Sequence, residues 1–191
     1  MFICVEGLDA SGKTTQSKLL VRNLQGKGFD AVYTTEPTRG RIGRLIRKHV
    51  LTGKNRLSAV LEALLFAADR VDHLEREIIP AMRSHKIVVT DRYLYSSLAY
   101  QGAAGLDLKW IEEVNRWAMK PDVTIYIDIS PETVLQRLKR EKSVMETLQN
   151  QRRVREIYLD LVKNYGLRVI DGNKSRREVA QEIMETVTSF L

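Results

Sequence analysis

Glu6-Gly7-Leu8-Asp9-Ala10-Ser11-Gly12-Lys13-Thr14-Thr15 decides how this chain folds. The run follows four apolar residues, Phe2-Ile3-Cys4-Val5, that read as a buried strand. It precedes a helical pattern that starts near Lys13. Strand, G-x-x-x-x-G-K-[ST] loop and helix together are the setting of a phosphate-binding P-loop. Gly7 and Gly12 allow backbone angles that a side chain resists. Successive N–H groups then turn toward a phosphate, and the positive end of the helix adds to their pull. In such a loop Lys13 reaches the β- and γ-phosphates, and the Thr14 hydroxyl meets Mg²⁺. The stretch from Gly7 to Thr15, with Leu8, Asp9, Ala10 and Ser11 inside it, is the expected triphosphate cradle.

The 191 residues around this loop suit one domain, residues 1–191, and 43% hydrophobic residues are enough for a real core. No apolar run approaches the ~18 residues of a membrane span. The chain enters a strand at once, without the pattern of a signal peptide. The single cysteine, Cys4, lies in that strand and reads as a small core residue. These features point to a cytoplasmic protein. The net charge of +7 suits nucleic acid or polyanionic small molecules. There is no zinc spacing, aromatic-rich binding signature or basic tail, so the expectation is small phosphorylated ligands, with no nucleic acid and no membrane.

Downstream, apolar strands alternate with helical patterns. Strands are expected at Ala31–Thr35, Lys86–Asp91, Val123–Asp128 and Leu167–Ile170. Helices are expected at Thr14–Leu24, Ile42–Leu51, Leu57–Met82, Lys109–Ala118, after Ser130-Pro131, and after a capping box at Ser175 and Glu178. In the long helix, Leu61, Leu64, Leu65, Ala68, Val71 and Ile78 keep helical spacing and are expected to face the core. The fold class is α/β: a P-loop, three-layer arrangement of a five-stranded parallel sheet with helices on both faces and a short lid. Mobile parts are expected around residues 37–56 and 139–155. The segment Ser96–Gly105 is expected to cap the site.

A P-loop alone does not separate a kinase from a GTPase. The guanine-reading Asn-Lys-x-Asp is missing, since Asn173-Lys174-Ser175-Arg176 fails at its last position. Asp9 sits inside the loop, where phosphates repel a carboxylate. It is aimed at a sugar hydroxyl or a Mg²⁺-bound water, or it only forms the turn. Asp91 ends a strand, as a Mg²⁺-side acid does. Arg47, Arg70, Arg92 and the cluster from Arg137 to Lys142 can converge on a reaction between two polyanions. Phe66 and Arg70, four apart, share a strip of the long helix. Taken singly, one reads as core packing and the other as a solvated charge.

The sequence resembles thymidylate kinases over nearly its whole length. The resemblance rests on the loop above, on Glu36-Pro37, Leu65-Phe66-Ala67-Ala68-Asp69-Arg70, Asp91-Arg92-Tyr93, Ser96-Ser97, Ala99-Tyr100-Gln101-Gly102, Pro121-Asp122-Val123-Thr124 and Asp128-Ile129-Ser130-Pro131-Glu132. It implies transfer of phosphate from ATP to thymidine monophosphate (dTMP), a soluble homodimer, and Mg²⁺ on the side of Thr14 and Asp91. It implies that Phe66 stacks on thymine and that Arg70 holds base and monophosphate. Arg92 would bridge the donor and acceptor phosphates. Asp9 would face the deoxyribose 3′-hydroxyl, and Tyr100 would crowd the 2′ position. Ser97 and Gln101 would lie near the base, with Glu36, Pro37 and Arg47 on the acceptor side.

Some members of this family carry a basic residue where Ala10 stands. Its absence implies that the lid supplies that group, from among Arg137, Lys139, Arg140 and Lys142, with Arg140 and Lys142 as catalytic candidates. The lid is short, and the usual acid-arginine-apolar-glutamate segment is replaced by Lys142-Ser143-Val144-Met145-Glu146. The usual Thr-Arg-Glu-Pro becomes Thr35-Glu36-Pro37, with Arg39 or Arg41 left to substitute for the missing arginine. Two other readings stand beside the main one: a P-loop kinase with another acceptor, and a catalytically weak nucleotide-binding protein.

Overall fold

The computed structural model describes residues 1–51, 57–138 and 147–191. Five parallel strands form one sheet in the order β2-β3-β1-β4-β5. They are β1 (Phe2–Gly7), β2 (Ala31–Thr35), β3 (Ile87–Asp91), β4 (Val123–Asp128) and β5 (Arg168–Asp171). The helices are α1 (Lys13–Gly26), α2 (Arg41–Ile46), α3 (Ala59–His73), α4 (Ile79–Arg83), α5 (Leu94–Ala103), α6 (Leu108–Val114), α7 (Pro131–Arg137), α8 (Leu148–Tyr165) and α9 (Arg176–Thr188). Wide π-type turns, Arg47–Leu51 and Leu74–Ile78, follow α2 and join α3 to α4. Pro80 lies just past the second turn. It has no N–H to give, and its ring crowds the carbonyl one turn back, which disfavours regular α-helical bonding there.

The central strand shows how the layers form. Alternate residues of a strand point to opposite faces. Ile3 and Val5 of β1 join Leu20, Leu24, Val179, Ile183 and Val187 in the core under α1 and α9. Phe2 and Cys4 face the other way, toward Leu74, Ile78 and Tyr93. On that same side Leu8, Tyr126 and Ile129 pack with residues of α5, α6, α7 and α8. From β1 the chain crosses to β2 on one side, and from β3 it crosses back over β1 to β4. The carboxyl ends of β1 and β3 therefore meet where the winding direction reverses, where open α/β sheets bind ligands.

The caps reflect local chemistry. Ser130 Oγ accepts from Thr133 N at 3.1 Å with Pro131 at the first turn of α7, and Ser175 with Glu178 forms the full capping box of α9. Three expectations need correction. The helix expected over 57–82 begins at Ala59 behind the N-cap Ser58 and changes phase at the wide turn. Its apolar stripe faces the core only at Ile78: Leu61 and Leu64 are over 40% exposed, Ala68 is exposed, and Leu65 and Val71 are half-buried. Glu62, Ala63, Ala67, Asp69, Arg70 and His73 are the buried residues. The polar face turns inward because it meets hydrogen-bonding partners from the loop after β2 and from α5. The helix expected to Ala118 ends at Val114. The segment expected to cap the site is mostly α5, whose Tyr95, Leu98 and Ala99 belong to the core.

Candidate active site

The loop after β1 has the backbone that its glycines require. Gly7 has φ +149°, and a Cβ there would lie 2.7 Å from the Ile127 carbonyl oxygen. Gly12 precedes α1 in the left-handed region, φ +98°, and Ala10 also has positive φ, +58°. Lys13 is buried beneath the loop and donates to the Leu8 carbonyl at 2.5 Å. Burial, aided by the nearby Arg92 charge, lowers its pKa from 10.5 to about 8, while Asp9, Asp91 and Glu6 oppose that shift. Thr14 and Thr15 start α1 with exposed side chains. The Thr14 hydroxyl donates to Asp91 Oδ2. Asp91 Oδ1 is buried and has no hydrogen-bond partner among the described residues.

Arg92 joins this loop to α5. It comes directly after the last residue of β3 and has φ +73°. Its guanidinium donates to Asp9 Oδ1 at 2.5 Å, to Ser96 Oγ at 2.9 Å and to the Tyr100 hydroxyl at 3.4 Å. It lies 5.0 Å from the centre of the Tyr100 ring. The Tyr100 hydroxyl in turn accepts from Asp9 N at 3.1 Å. Burial pushes the Tyr100 pKa upward, so the phenol stays protonated and able to donate.

Arg70 occupies the far side. It is 1% exposed, a rare state for arginine, which is almost never fully buried unless paired. It donates to Glu36 Oε2 at 2.7 Å, to Ser97 Oγ at 3.1 Å and to Asn115 Oδ1. Its guanidinium lies 5.1 Å from the centre of the Tyr93 ring. Glu36 and Pro37 are held by Thr38, whose N–H and hydroxyl donate to Asp69 at 2.7 and 2.6 Å. Arg47 donates to the Pro37 carbonyl from its exposed position after α2. Phe66, one turn before Arg70, is partly exposed. Gln101 is buried in α5, with its Oε1 unbonded among the described residues. Arg39 and Arg41 are exposed beside the start of α2.

Of the basic lid candidates, Arg137 alone is described. It closes α7 and donates to the carbonyls of Ala10 and Gly172, both at 3.3 Å. Lys139, Arg140 and Lys142 lie outside the described residues.

Two sets of residues escaped the sequence reading. Glu6 is a fully buried carboxylate that accepts from Tyr93 N at 2.9 Å, Ser96 N at 3.1 Å, Ser96 Oγ at 2.6 Å and Tyr158 Oη at 2.9 Å. It pins the turn that carries Arg92, and burial raises its pKa against the pull of those hydrogen bonds. An acid at the end of a wholly apolar strand was the available signal. The second set is His73 with Thr34 and Asn115, around Glu36 and Arg70. Its signal was the three-residue step from Arg70 to His73 on one helix.

The thymidylate kinase family profile matches residues 5–183. The chain is 40% identical to a probable thymidylate kinase of Thermococcus gammatolerans, over 98% of this chain and 95% of that one. It is 42% identical to the probable thymidylate kinase of Pyrococcus abyssi, over 97% and 95% of the two chains. For that of Methanocaldococcus jannaschii the identity is 43%, over 96% and 94%. A profile match spanning the loop, Arg70 and Arg92 on one sheet edge, with full-length relatives at this identity, means that the chain belongs to the thymidylate kinase family of nucleoside monophosphate kinases.

Proposed function

We propose that this chain, as one kinase domain over residues 1–191, transfers the γ-phosphoryl group of ATP to dTMP, giving ADP and thymidine diphosphate (dTDP). The observation that carries the reading is Arg92. One guanidinium is tied both to Asp9 of the phosphate loop and to Tyr100 of α5. A cation at that junction suits a group that must neutralise donor and acceptor together.

The chemistry needs no general base. The nucleophile is an oxygen of the dTMP phosphate, whose second pKa is ~6 and which is ionised at neutral pH. The new bond forms to Pγ as the bond from Pγ to the bridging oxygen of ADP breaks. Alignment and charge neutralisation do the work. Backbone N–H groups of residues 7–15 bind the donor phosphates. Lys13 and Arg92 share the transferred group, with a lid cation, Arg140 or Lys142, as the third. Asp9 accepts from the 3′-hydroxyl, and Tyr100 leaves no room for a 2′-hydroxyl. Phe66 stacks on the base, while Arg70, Ser97 and Gln101 bond its edge and phosphate beside Glu36, Pro37 and Arg47. The unbonded Oε1 of Gln101 is a buried acceptor that a bound base would satisfy.

Thr14 and Asp91 fit Mg²⁺. Asp91 has one oxygen without a hydrogen-bond partner among the described residues, beside a hydroxyl, and hard oxygen donors suit this ion. When bound, Mg²⁺ would supply charge neutralisation at the β- and γ-phosphates.

The enzyme works as a homodimer in the cytoplasm. No helix among the described residues is long and apolar enough to cross a membrane. The apolar residues Val60, Leu61 and Leu64 of α3, Leu45 of α2, and Leu108 of α6 are all exposed, and α3 packs beside both other helices. Exposed apolar residues gathered on neighbouring helices favour a protein partner. Leu64→Glu should convert a dimer to monomers in sedimentation equilibrium.

The test is ADP release with ATP and Mg²⁺ across dTMP, dUMP, UMP, CMP, AMP and GMP. Turnover with dTMP well above that with UMP supports the reading. Preference for another monophosphate overturns the base assignment, and turnover with none overturns the reaction.

A further inference from the structure

Arg70 is tied into a network of buried side chains. Glu36 uses both carboxylate oxygens: Oε2 accepts from Arg70 at 2.7 Å, and Oε1 meets His73 Nδ1 at 3.1 Å. The His73 side chain is fully buried, and its Nε2 lies 2.7 Å from Thr34 Oγ1. Thr34 in turn donates to Glu77 Oε2 at 2.6 Å, and Glu77 is half exposed. One chain of contacts thus runs from solvent through β2 and α3 to the arginine of the acceptor side. A glutamate held at one oxygen alone is free to rotate about its last torsion. The imidazole removes that freedom and fixes the plane in which Arg70 is held.

Given the reading of the site as a dTMP kinase, on which this rests, we infer that His73 is a positioning residue for the acceptor nucleotide, acting through Glu36 on Arg70. Buried hydrogen-bond networks of this kind are worth more than their separate bonds, and supporting residues set the aim of the groups that touch the ligand. His73 touches neither substrate nor reacting atoms. Its effect belongs in dTMP binding, not in ATP binding, because its hydrogen bonds run to Glu36 and Thr34 and through Glu36 to Arg70.

The two nitrogens of the ring supply the test. In His73→Asn the amide nitrogen stands near the former Nδ1 and keeps the Glu36 bond. In His73→Gln it stands near the former Nε2 and keeps the Thr34 bond instead. A merely structural role makes no distinction between them, since both remove the ring. The expected result is a dTMP KM raised about tenfold in His73→Gln, no more than about threefold in His73→Asn, and an unchanged ATP KM in both. Equal dTMP KM values for the two variants, or an ATP KM rising in parallel, overturn the inference. If neither variant folds, by circular dichroism, Thr34→Val decides. It should raise the dTMP KM about threefold with the ATP KM unchanged, and an unchanged dTMP KM overturns the inference. Wild-type turnover is measured first. If the wild type prefers another monophosphate, the same split is read with that acceptor, and if it turns over none, dTMP affinity by calorimetry takes the place of KM. The proposed reaction can then fail without deciding the role of His73.

Discussion

The two sides of the cleft are built by opposite means. On the proposed donor side one unbroken run, residues 7–15, offers its backbone, and Gly7 and Gly12 set its shape. On the acceptor side Glu36, Arg70, His73, Ser97 and Asn115 come from four separate places in the chain and meet as buried side chains. The first kind of site is local: its phosphate-binding geometry is carried by a few torsions. The second is assembled by tertiary structure and shares its hydrogen bonds with the interior. Activity and stability should therefore separate on the donor side and stay joined on the acceptor side.

The sharpest test is the residue that belongs to both sides. Arg92→Gln should lower kcat by about 10⁴-fold, within the range for arginines in phosphoryl transfer, in single-turnover measurements with both substrates saturating. A loss below tenfold would break the claim that one guanidinium bridges the halves. Next comes Arg70→Met. Among the described residues it leaves the buried Glu36 carboxylate with His73 as its remaining side-chain partner, and the side chains of Arg70 and Glu36 are both 2% exposed. Unfolding in urea should lose about 3 kcal/mol, typical of breaking a buried pair, in addition to the loss of dTMP binding. Restoring part of the stability with Glu36→Gln in the same chain, without restoring dTMP binding, would sharpen the comparison.

Lys13 gives the contrasting result on the donor side. Its folded pKa, about 8, lies below the ordinary value of 10.5. Between the two, the unfolded chain holds the proton and the folded chain does not, so the stability of the nucleotide-free protein should rise with pH across that window. The ATP KM should rise over the same range, about tenfold per pH unit once the lysine is neutral. Lys13→Met should abolish both trends, and a mutant that kept the stability trend would assign it elsewhere. The smallest expected effect is Phe66→Ala. Losing the ring we propose to stack on the base should raise the dTMP KM about tenfold or less, with melting temperature nearly constant because the residue is only partly buried.

The same contrast explains what could be read from the sequence. The strands, the caps at Ser130 and Ser175, and the phosphate loop were legible because each rests on neighbours in the chain. The long helix misled because spacing reveals that two faces differ, not which one is covered. Leu61 and Leu64 hold the apolar spacing and lie outside, whereas Arg70 and His73 lie inside because Glu36, Ser97 and Asn115 wait there. Glu6 was passed over for a related reason. A carboxylate at the end of an apolar strand looks like its boundary until the turn at Tyr93 and Ser96 is folded over it.

The wide turn at Leu74–Ile78 has a consequence for how this helix can change. An added residue in a turn advances the phase of the helix beyond it by about 100°. The turn therefore works as a coupling between two shafts set at different angles. One shaft, α3, buries Arg70 and His73, and the other, α4, packs Ile79, Ala81 and Met82 against the core beside the sheet. Single substitutions within the coupling leave both angles alone. Losing one residue from it would swing one shaft against the other, so this stretch should accept altered side chains at the exposed Glu75 and Arg76 far more readily than altered length.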